Sequence, residues 1–97
     1  DKTNHNFGKI KKGINKSVVF TFTNIGAKPA VIEFAQAECG CTTPEYKQNP
    51  VLKGQKGNIK VTYTAPFSGV FKKNVTVKFA GIKTPIELTI EGEVILK

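Results

Sequence analysis

Apolar residues recur at every second position of this chain, in short runs separated by turn residues. Within Ser17–Asn24, for example, Val18, Phe20 and Phe22 fall on one face, and the residues between them are smaller or polar. This two-residue period is typical of half-buried β-strands, because successive side chains of a strand point to opposite faces. No segment of helical length has the period of about 3.6 residues that an amphipathic helix needs. The sequence therefore predicts an all-β protein.

The same alternation predicts further strands along the chain. A short first strand containing Phe7 is expected over residues 6–10, and residues 38–50 are expected to be irregular. The predicted inward residues of the other strands are Ile32 and Phe34; Ile59, Val61 and Tyr63; Val75, Val77 and Phe79; and Ile86, Leu88 and Ile90. Turn signals every 8–12 residues or so predict an immunoglobulin-like β-sandwich of about seven antiparallel strands. We expect residues 1–97 to form one domain, since about 100 residues is an ordinary domain size.

Two turns and one hairpin are specific enough to test. We expect Asn24–Pro29 to be a turn in which Gly26 adopts a positive φ. The last two strands are predicted to pair as a hairpin with Phe79 opposite Ile86, Val77 opposite Leu88 and Val75 opposite Ile90. Lys73 breaks the inward pattern, so either a bulge beside it or a lysine stem reaching out to solvent is expected.

The charge of the chain narrows the classes of partner. The net charge is +8, and every one of the basic side chains is lysine. Arginine supplies the paired donors that read phosphate and guanine, so we expect no specific nucleic-acid partner. Eight lysines and no acidic residue lie between Glu45 and Glu87. Ordinary strand surface is the favoured interpretation of this stretch, and a patch for an anionic glycan, lipid headgroup or nucleic acid is the alternative.

No apolar run approaches the ~20 residues of a membrane-spanning helix, so we expect no membrane span. The first residue is aspartate and not methionine, so we expect that an export signal or lipid anchor has been removed upstream. These features predict an extracytoplasmic domain, and we expect it to be a monomer.

A set of spaced residues carries a family resemblance. It consists of Phe7-Gly8, Gly13, Phe20-x-Phe22-x-Asn24-x-Gly26-x-x-Pro29, Cys39-Gly40-Cys41-Thr42-x-Pro44, Gly54-x-x-Gly57, Tyr63, Gly69-x-Phe71-x-Lys73 and Leu88-x-Ile90-x-Gly92. This pattern resembles a bacterial family of domains of unknown function that is marked by the Cys-Gly-Cys-Thr-x-Pro signature and is frequent in exported proteins. The family is distantly similar to the major-sperm-protein and Hydin-type immunoglobulin-like domains. The resemblance implies a seven-stranded sandwich in the periplasm or at the cell surface, and no activity or substrate.

The pair Cys39 and Cys41 is the one feature that suggests chemistry. Two residues fully extended span roughly 6.6–7.2 Å, at the upper limit for a disulfide, so a turn at Gly40 would be needed to join the thiols. So small a loop contributes roughly 1.5 kcal/mol of chain entropy before strain is subtracted. A strained bond of this kind is easily reduced, which permits a redox role. A purely structural role is favoured, because no neighbour that would activate a thiol is evident.

Metal binding and catalysis receive less support from the sequence. One residue separates the cysteines, whereas paired zinc ligands usually have two to four residues between them, and His5 is the only other soft ligand. A two-thiolate Cu(I) site is the remaining metal alternative. His5 is expected to be a solvated terminal imidazole. We expect no cofactor, no metal and no enzymatic activity, since a chain with one histidine offers few ways to assemble a nucleophile, a base and an orienting acid.

The leading prediction of function is a non-catalytic interaction or spacer module of an exported protein, with an unknown protein or glycan partner. Loops at one end of the sandwich or an exposed edge strand would bind that partner. The preferred contact region is Glu38–Pro50, and its candidate binding residues are Cys39, Gly40, Cys41, Thr42 and Tyr46. A thiol redox or metal-binding module that uses the Cys-Gly-Cys pair is the alternative.

Overall fold

The computed structural model describes residues 3–38 and 40–96. These residues form seven strands: β1 Asn4–Lys11, β2 Asn15–Thr23, β3 Ile32–Ala37, β4 Thr42–Tyr46, β5 Lys56–Thr64, β6 Gly69–Phe79 and β7 Ile86–Ile95. One sheet has the strand order β1-β7-β6-β3, and the other has the order β2-β5-β4. The predicted all-β, immunoglobulin-like sandwich is therefore confirmed. Over the described ranges, no helix has the length and apolar character needed to cross a membrane.

The first strand departs from the predicted antiparallel arrangement. β1 runs parallel to β7, with Asn4 opposite Thr89 and Lys11 opposite Ile95. The other strand pairs of the two sheets are antiparallel. The register of β1 shifts between Asn6 and Lys9, at the point where Gly8 adopts a φ of 72°. A parallel pair requires a long connection between its strands, and here the whole of the chain between β1 and β7 provides it.

The core lies between the two sheets and contains the inward residues predicted for β5 and β6, together with Phe20 of β2 and Leu88 and Ile90 of β7. Val18 and Phe22 are partly buried against it. The prediction for Ile86 was wrong: it lies at the start of β7 and is 44% exposed.

The aromatic residues of the core pack in pairs. The rings of Tyr63 and Phe71 are stacked with centroids 4.1 Å apart, and Phe22 meets Phe79 edge to face at 5.1 Å. Burial raises the pKa of Tyr63 above its usual value, because the phenolate would lose its hydration. Such aromatic pairs add about 0.5–1.5 kcal/mol beyond the area that they bury.

The prediction for Phe34 was wrong. Alternation placed it in the core with Ile32, but its side chain is 40% exposed. A bulge lies between these two residues, and Glu33 is the extra residue that has no partner on β6. The bulge reverses the alternation, so that Ala35 packs against the core in place of Phe34. Glu33 lies on the surface, where its Oε1 is 2.9 Å from Nζ of Lys78.

The predicted register of the last hairpin was wrong by two residues. Ile86 lies opposite Val77, whereas the sequence placed it opposite Phe79. A slip of two keeps every side chain on its own face, so the alternation cannot distinguish the two registers. The observed register leaves Phe79 beyond the end of the β7 ladder, where it pairs with Ile32 of β3.

Lys73 lies in an unbroken part of this ladder, opposite Ile90. The bulge considered for this position is therefore absent from β6. The side chain is half-buried, as the alternative of a lysine stem along apolar surface predicts.

Gly57 leaves the space that the Phe22 ring occupies. The two residues are opposite each other in the β2–β5 ladder. A Cβ at position 57 would lie 2.7 Å from Cε1 of Phe22 and closer still to Cζ. Gly57 therefore belongs to β5 and serves core packing, although the sequence suggested only a turn residue there.

We expect the substitution Gly57→Ala to destabilise the fold by about 1–3 kcal/mol, because the added methyl displaces the Phe22 ring from the core. Urea unfolding followed by circular dichroism measures this change. Gly40→Ala is the matched control: a Cβ at position 40 would meet no atom within 4 Å, so its effect stays within about 0.5 kcal/mol. Equal stabilities of the two variants would contradict this role for Gly57.

Candidate functional site beside strand β4

The segment Glu38–Pro50, predicted to be irregular, contains strand β4. Thr42 lies opposite Tyr63 and Tyr46 opposite Ile59 of β5. The alternation of apolar residues did not predict this strand, because two of its inward positions, Thr42 and Pro44, carry no large apolar side chain. Gly40 is exposed in the turn that leads into β4, and Cys39 lies outside the described residues.

Two of the candidate binding residues help to close the core. Thr42 is only 4% exposed. Tyr46 is half-buried and packs against the core cluster, although the alternation had left it unassigned to the core. Any contact that they make with a partner would use the exposed part of Tyr46 and the backbone of Thr42.

Cys41 is half-buried and also packs against the core. It is disulfide-bonded, and its Sγ lies 4.0 Å from Oγ1 of Thr42. A disulfide is compatible with both the structural and the redox interpretation, so the bond alone does not distinguish them. Over residues 3–38 and 40–96, no group of three His, Cys, Asp or Glu side chains could hold a metal ion. The redox and metal alternatives thus gain no support from the described residues.

His5 lies within β1, in contrast to the solvated terminal imidazole that we expected. Its ring meets that of Phe7 edge to face, with centroids 4.8 Å apart. The side chain is half-buried, so its ring contributes to the packing of β1.

A groove of about 610 Å³ lies beside β4, and we call it the β4 groove. Tyr46 and Lys47 border it at the end of β4, Val19 of β2 and Lys60 of β5 line it, and Lys56 lies at the start of β5. Within the part of the chain that the structure describes, three lysines thus line the groove together with a single acidic residue, Glu45, which lies opposite Lys60 in the ladder. Sequence reasoning missed this set of lysines, because only strand pairing brings the three positions together.

The lining of the β4 groove is suited to recognition. Among residues 3–38 and 40–96, the lining contains amides, lysines, one carboxylate, one phenol and apolar side chains, and no histidine, cysteine, serine or threonine. Groups of the lining can therefore form ion pairs and hydrogen bonds with a ligand. A serine, threonine or cysteine nucleophile beside a histidine base does not occur in it.

Asn24 holds the loop that forms one wall of the groove. Its buried Nδ2 donates to the carbonyl oxygens of Lys28 at 2.8 Å and Val51 at 2.7 Å, and its Oδ1 accepts from the N–H of Gly26 at 2.9 Å. The backbone N–H of Asn24 donates to the carbonyl oxygen of Gln55 at 3.0 Å. Gly26 does not adopt the positive φ that we expected, because the Asn24 side chain shapes the turn instead.

We expect Asn24→Ala to cost about 2–4 kcal/mol of stability, because three hydrogen bonds are lost and their partners stay partly desolvated. Thermal unfolding and the amide chemical shifts of Val51 and Gln55 measure the effect. The exposed Asn58 provides the control. Its Oδ1 accepts one exposed hydrogen bond from Oγ1 of Thr21 at 3.0 Å, so Asn58→Ala should cost no more than about 1 kcal/mol. An Asn24→Ala protein as stable as the control would show that this network is dispensable.

Strand β4 lies at the edge of its sheet, but its free edge is blocked. The N–H of Thr64 donates to the carbonyl oxygen of Cys41 at 2.9 Å. Because antiparallel ladders alternate, Thr43 and Glu45 bond to β5, and the backbone of Pro44 faces away from it. Proline has no N–H, so the central donor of this edge is missing. A ligand of the β4 groove therefore binds through side chains and not as an added strand on β4.

Comparison with known protein families assigns the sequence to one of them. The family described as "Protein of unknown function (DUF1573)" matches residues 1–94. The chain belongs to the DUF1573 family. No individually curated protein matches the sequence.

Several solved structures share the fold of this DUF1573 domain. The seventh PapD-like (ASH) domain of human CEP192 superposes with a TM-score of 0.79 at 9% identity, over 100% of this chain and 84% of that one. The VesB protease of Vibrio cholerae gives a TM-score of 0.73 at 15% identity, over 94% of this chain and 30% of the protease. Amebosin gives 0.54 at 17% identity, over 95% and 98% of the two chains. At these identities the likeness concerns the PapD-like, immunoglobulin-like fold alone.

Proposed function

We propose that this DUF1573 domain is a non-catalytic interaction module of an exported bacterial protein, with residues 1–97 acting as one domain. Its partner is a protein, and an acidic segment of that partner lies in the β4 groove. The observation that carries the proposal is the groove itself, in which three lysines surround a partly apolar floor beside the segment Glu38–Pro50.

Charge and shape support a protein segment as the ligand. Lys47, Lys56 and Lys60 face one acidic residue, Glu45, so the groove carries a net positive charge. Val19 and Tyr46 add apolar surface that suits aliphatic or aromatic side chains. Charge complementarity of this kind mainly raises the association rate and the specificity. Of the candidate residues, Tyr46 lines the groove at the end of β4. Gly40, Cys41 and Thr42 precede or begin β4 and are not part of the lining, so they are proposed as a second part of the contact region. Cys39 is proposed as part of the same contact region.

Export is supported by the family resemblance and by fold neighbours such as a secreted serine protease, VesC of Vibrio cholerae, which has a TM-score of 0.70. Only the fold is shared with that enzyme, at 10% identity and over 21% of its length. A β-sandwich with its ligand on the outer face of one sheet serves well as a module within a larger exported protein.

Capture with matched variants tests the proposal. Wild-type domain and the Lys56→Glu and Lys83→Glu variants are immobilised and exposed to the exported proteins of the source bacterium, and retained proteins are quantified by mass spectrometry. Both variants change the charge equally, but only Lys56 lines the groove. We expect at least one protein to be retained by the wild type and Lys83→Glu and to fall about tenfold with Lys56→Glu, which corresponds to one lost charge-assisted contact.

Retention of the same proteins by all three forms would contradict the proposal. If Lys56→Glu reduces the retention of an anionic glycan and leaves the retention of every protein unchanged, the ligand of the groove is a glycan and not a protein. Absence of any retained ligand would favour the spacer role over the interaction role.

A further inference from the structure

The two open sheets of this sandwich have four edge strands, β1 and β3 in one sheet and β2 and β4 in the other. The free backbone groups of an edge strand are a template for another strand, so proteins commonly block their edges. β1 is interrupted by the bulge at Gly8, and β4 contains Pro44. β3 carries a bulge, and Nε2 of Gln48 donates to the carbonyl oxygens of Glu33 at 3.1 Å and Ile32 at 3.4 Å.

Strand β2, described over its whole length, contains neither a proline nor a bulge. Its ladder with β5 is regular over all nine residues, from Asn15 opposite Thr64 to Thr23 opposite Lys56. The N–H of Asn24, the next residue, donates toward the β5 side, to Gln55. Because donors alternate along an antiparallel ladder, the even-numbered residues of β2 bond to β5, and the odd-numbered ones direct their backbone outward.

Ser17 and Val19 therefore present their N–H and C=O groups at the free edge. No backbone group of residues 3–38 or 40–96 is hydrogen-bonded to these outward groups. The side chain of Val19, 49% exposed, lies on the outer face of the sheet and lines the β4 groove. A strand that pairs with Ser17 and Val19 would thus lie directly beside the proposed binding groove.

The layers of the sandwich leave room for such a strand. One sheet has four strands and the other has three. β3 lies against β4 at one side of the sandwich, so the extra strand, β1, is at the opposite side, beyond β2. In the common immunoglobulin arrangement the first strand pairs with the second and completes a four-stranded sheet. Here the first strand pairs with β7 instead, and one more strand beside β2 would restore a sheet of four beneath β1.

We propose that the edge of β2 takes up an extended acidic segment of the partner protein as an eighth strand. This inference rests on the proposed function and names its mode of binding. Main-chain hydrogen bonds to Ser17 and Val19 hold the segment, and alternate side chains of the segment enter the mouth of the β4 groove.

Charge identifies the segment as acidic and argues against a second copy of this chain. Lys11, Lys12 and Lys16 lie at the end of β1, on the following turn and at the start of β2, and residues 2–32 contain no acidic residue. Lys9 is left out of this set because it lies opposite Glu93 of β7. A second copy would bring the same basic edge and a net charge of +8 to the contact, and like charges across an interface cost affinity.

A synthetic peptide of about nine residues, the length of an ordinary strand, that alternates glutamate with valine is the probe. Its binding to the full chain is measured by fluorescence anisotropy. Val19→Pro removes the outward N–H and no hydrogen bond to β5, whereas Val19→Ala removes only the side chain. We expect saturable binding that Val19→Pro weakens about tenfold relative to Val19→Ala. Methylation of alternate peptide nitrogens on the bonding side should weaken it similarly, and this comparison needs no protein variant.

Each other outcome overturns strand addition in a distinguishable way. If Val19→Pro and Val19→Ala bind equally and methylation has no effect, the ladder is not used. If Lys56→Glu still abolishes that binding, the proposed function stands. If no binding is detected up to about 1 mM peptide, the edge is not a strand acceptor, whatever the capture experiment shows. If sedimentation shows a dimer that Val19→Pro dissociates, the occupant is a second copy and the assignment to an acidic partner is wrong.

Discussion

The parallel pairing of β1 with β7 is the constraint on which the rest of the structure depends. It places four strands in one sheet and leaves three in the other. Close approach of the backbones makes it possible: a Cβ at Gly92 would lie 2.8 Å from the carbonyl oxygen of Gly8 and 3.0 Å from the Phe71 ring. Gly8 also provides the positive φ of the bulge. Because β1 pairs with β7 and not with β2, β2 lies at the edge of its sheet. This edge is the surface that we propose binds the partner segment.

Alternation predicted the strands in which one face is apolar throughout, such as β5 with Ile59, Val61 and Tyr63. It failed where the inward positions are small or polar, as in β4, and where a bulge shifts the phase, as at Glu33. The apolar residues Ile32 and Phe34 keep their two-residue spacing in the sequence even though a bulge lies between them in the structure. The exposure of Phe34 therefore could not be predicted from the spacing. The hairpin register was missed for a different reason: a slip of two residues preserves both faces, so alternation does not distinguish the two registers. In the observed register Phe79 pairs with Ile32 of β3.

The predicted contact region and the β4 groove overlap at one end of β4. The sequence directed attention to Glu38–Pro50, and β4 does border the groove, but the lysines of the groove are far apart in the chain and meet only through strand pairing. Several of the spaced residues that suggested the family resemblance have structural roles: Gly57 admits the Phe22 ring, and Asn24 ties two loops together. These positions maintain the fold, so they carry little information about the partner. The position of β2 at the edge of its sheet is a property of topology, which no local pattern encodes.

Residue-resolved amide hydrogen exchange of the free domain, measured by NMR, tests the central claim most directly. That claim is that β2 is an open edge, with alternate residues bonded inward and outward. We predict strong protection of the Val18 and Phe20 amides, which bond to β5, and exchange at nearly unprotected rates for Ser17 and Val19 between them. Uniform protection of all four amides in the monomeric protein would mean that this edge is already covered, and would contradict the account.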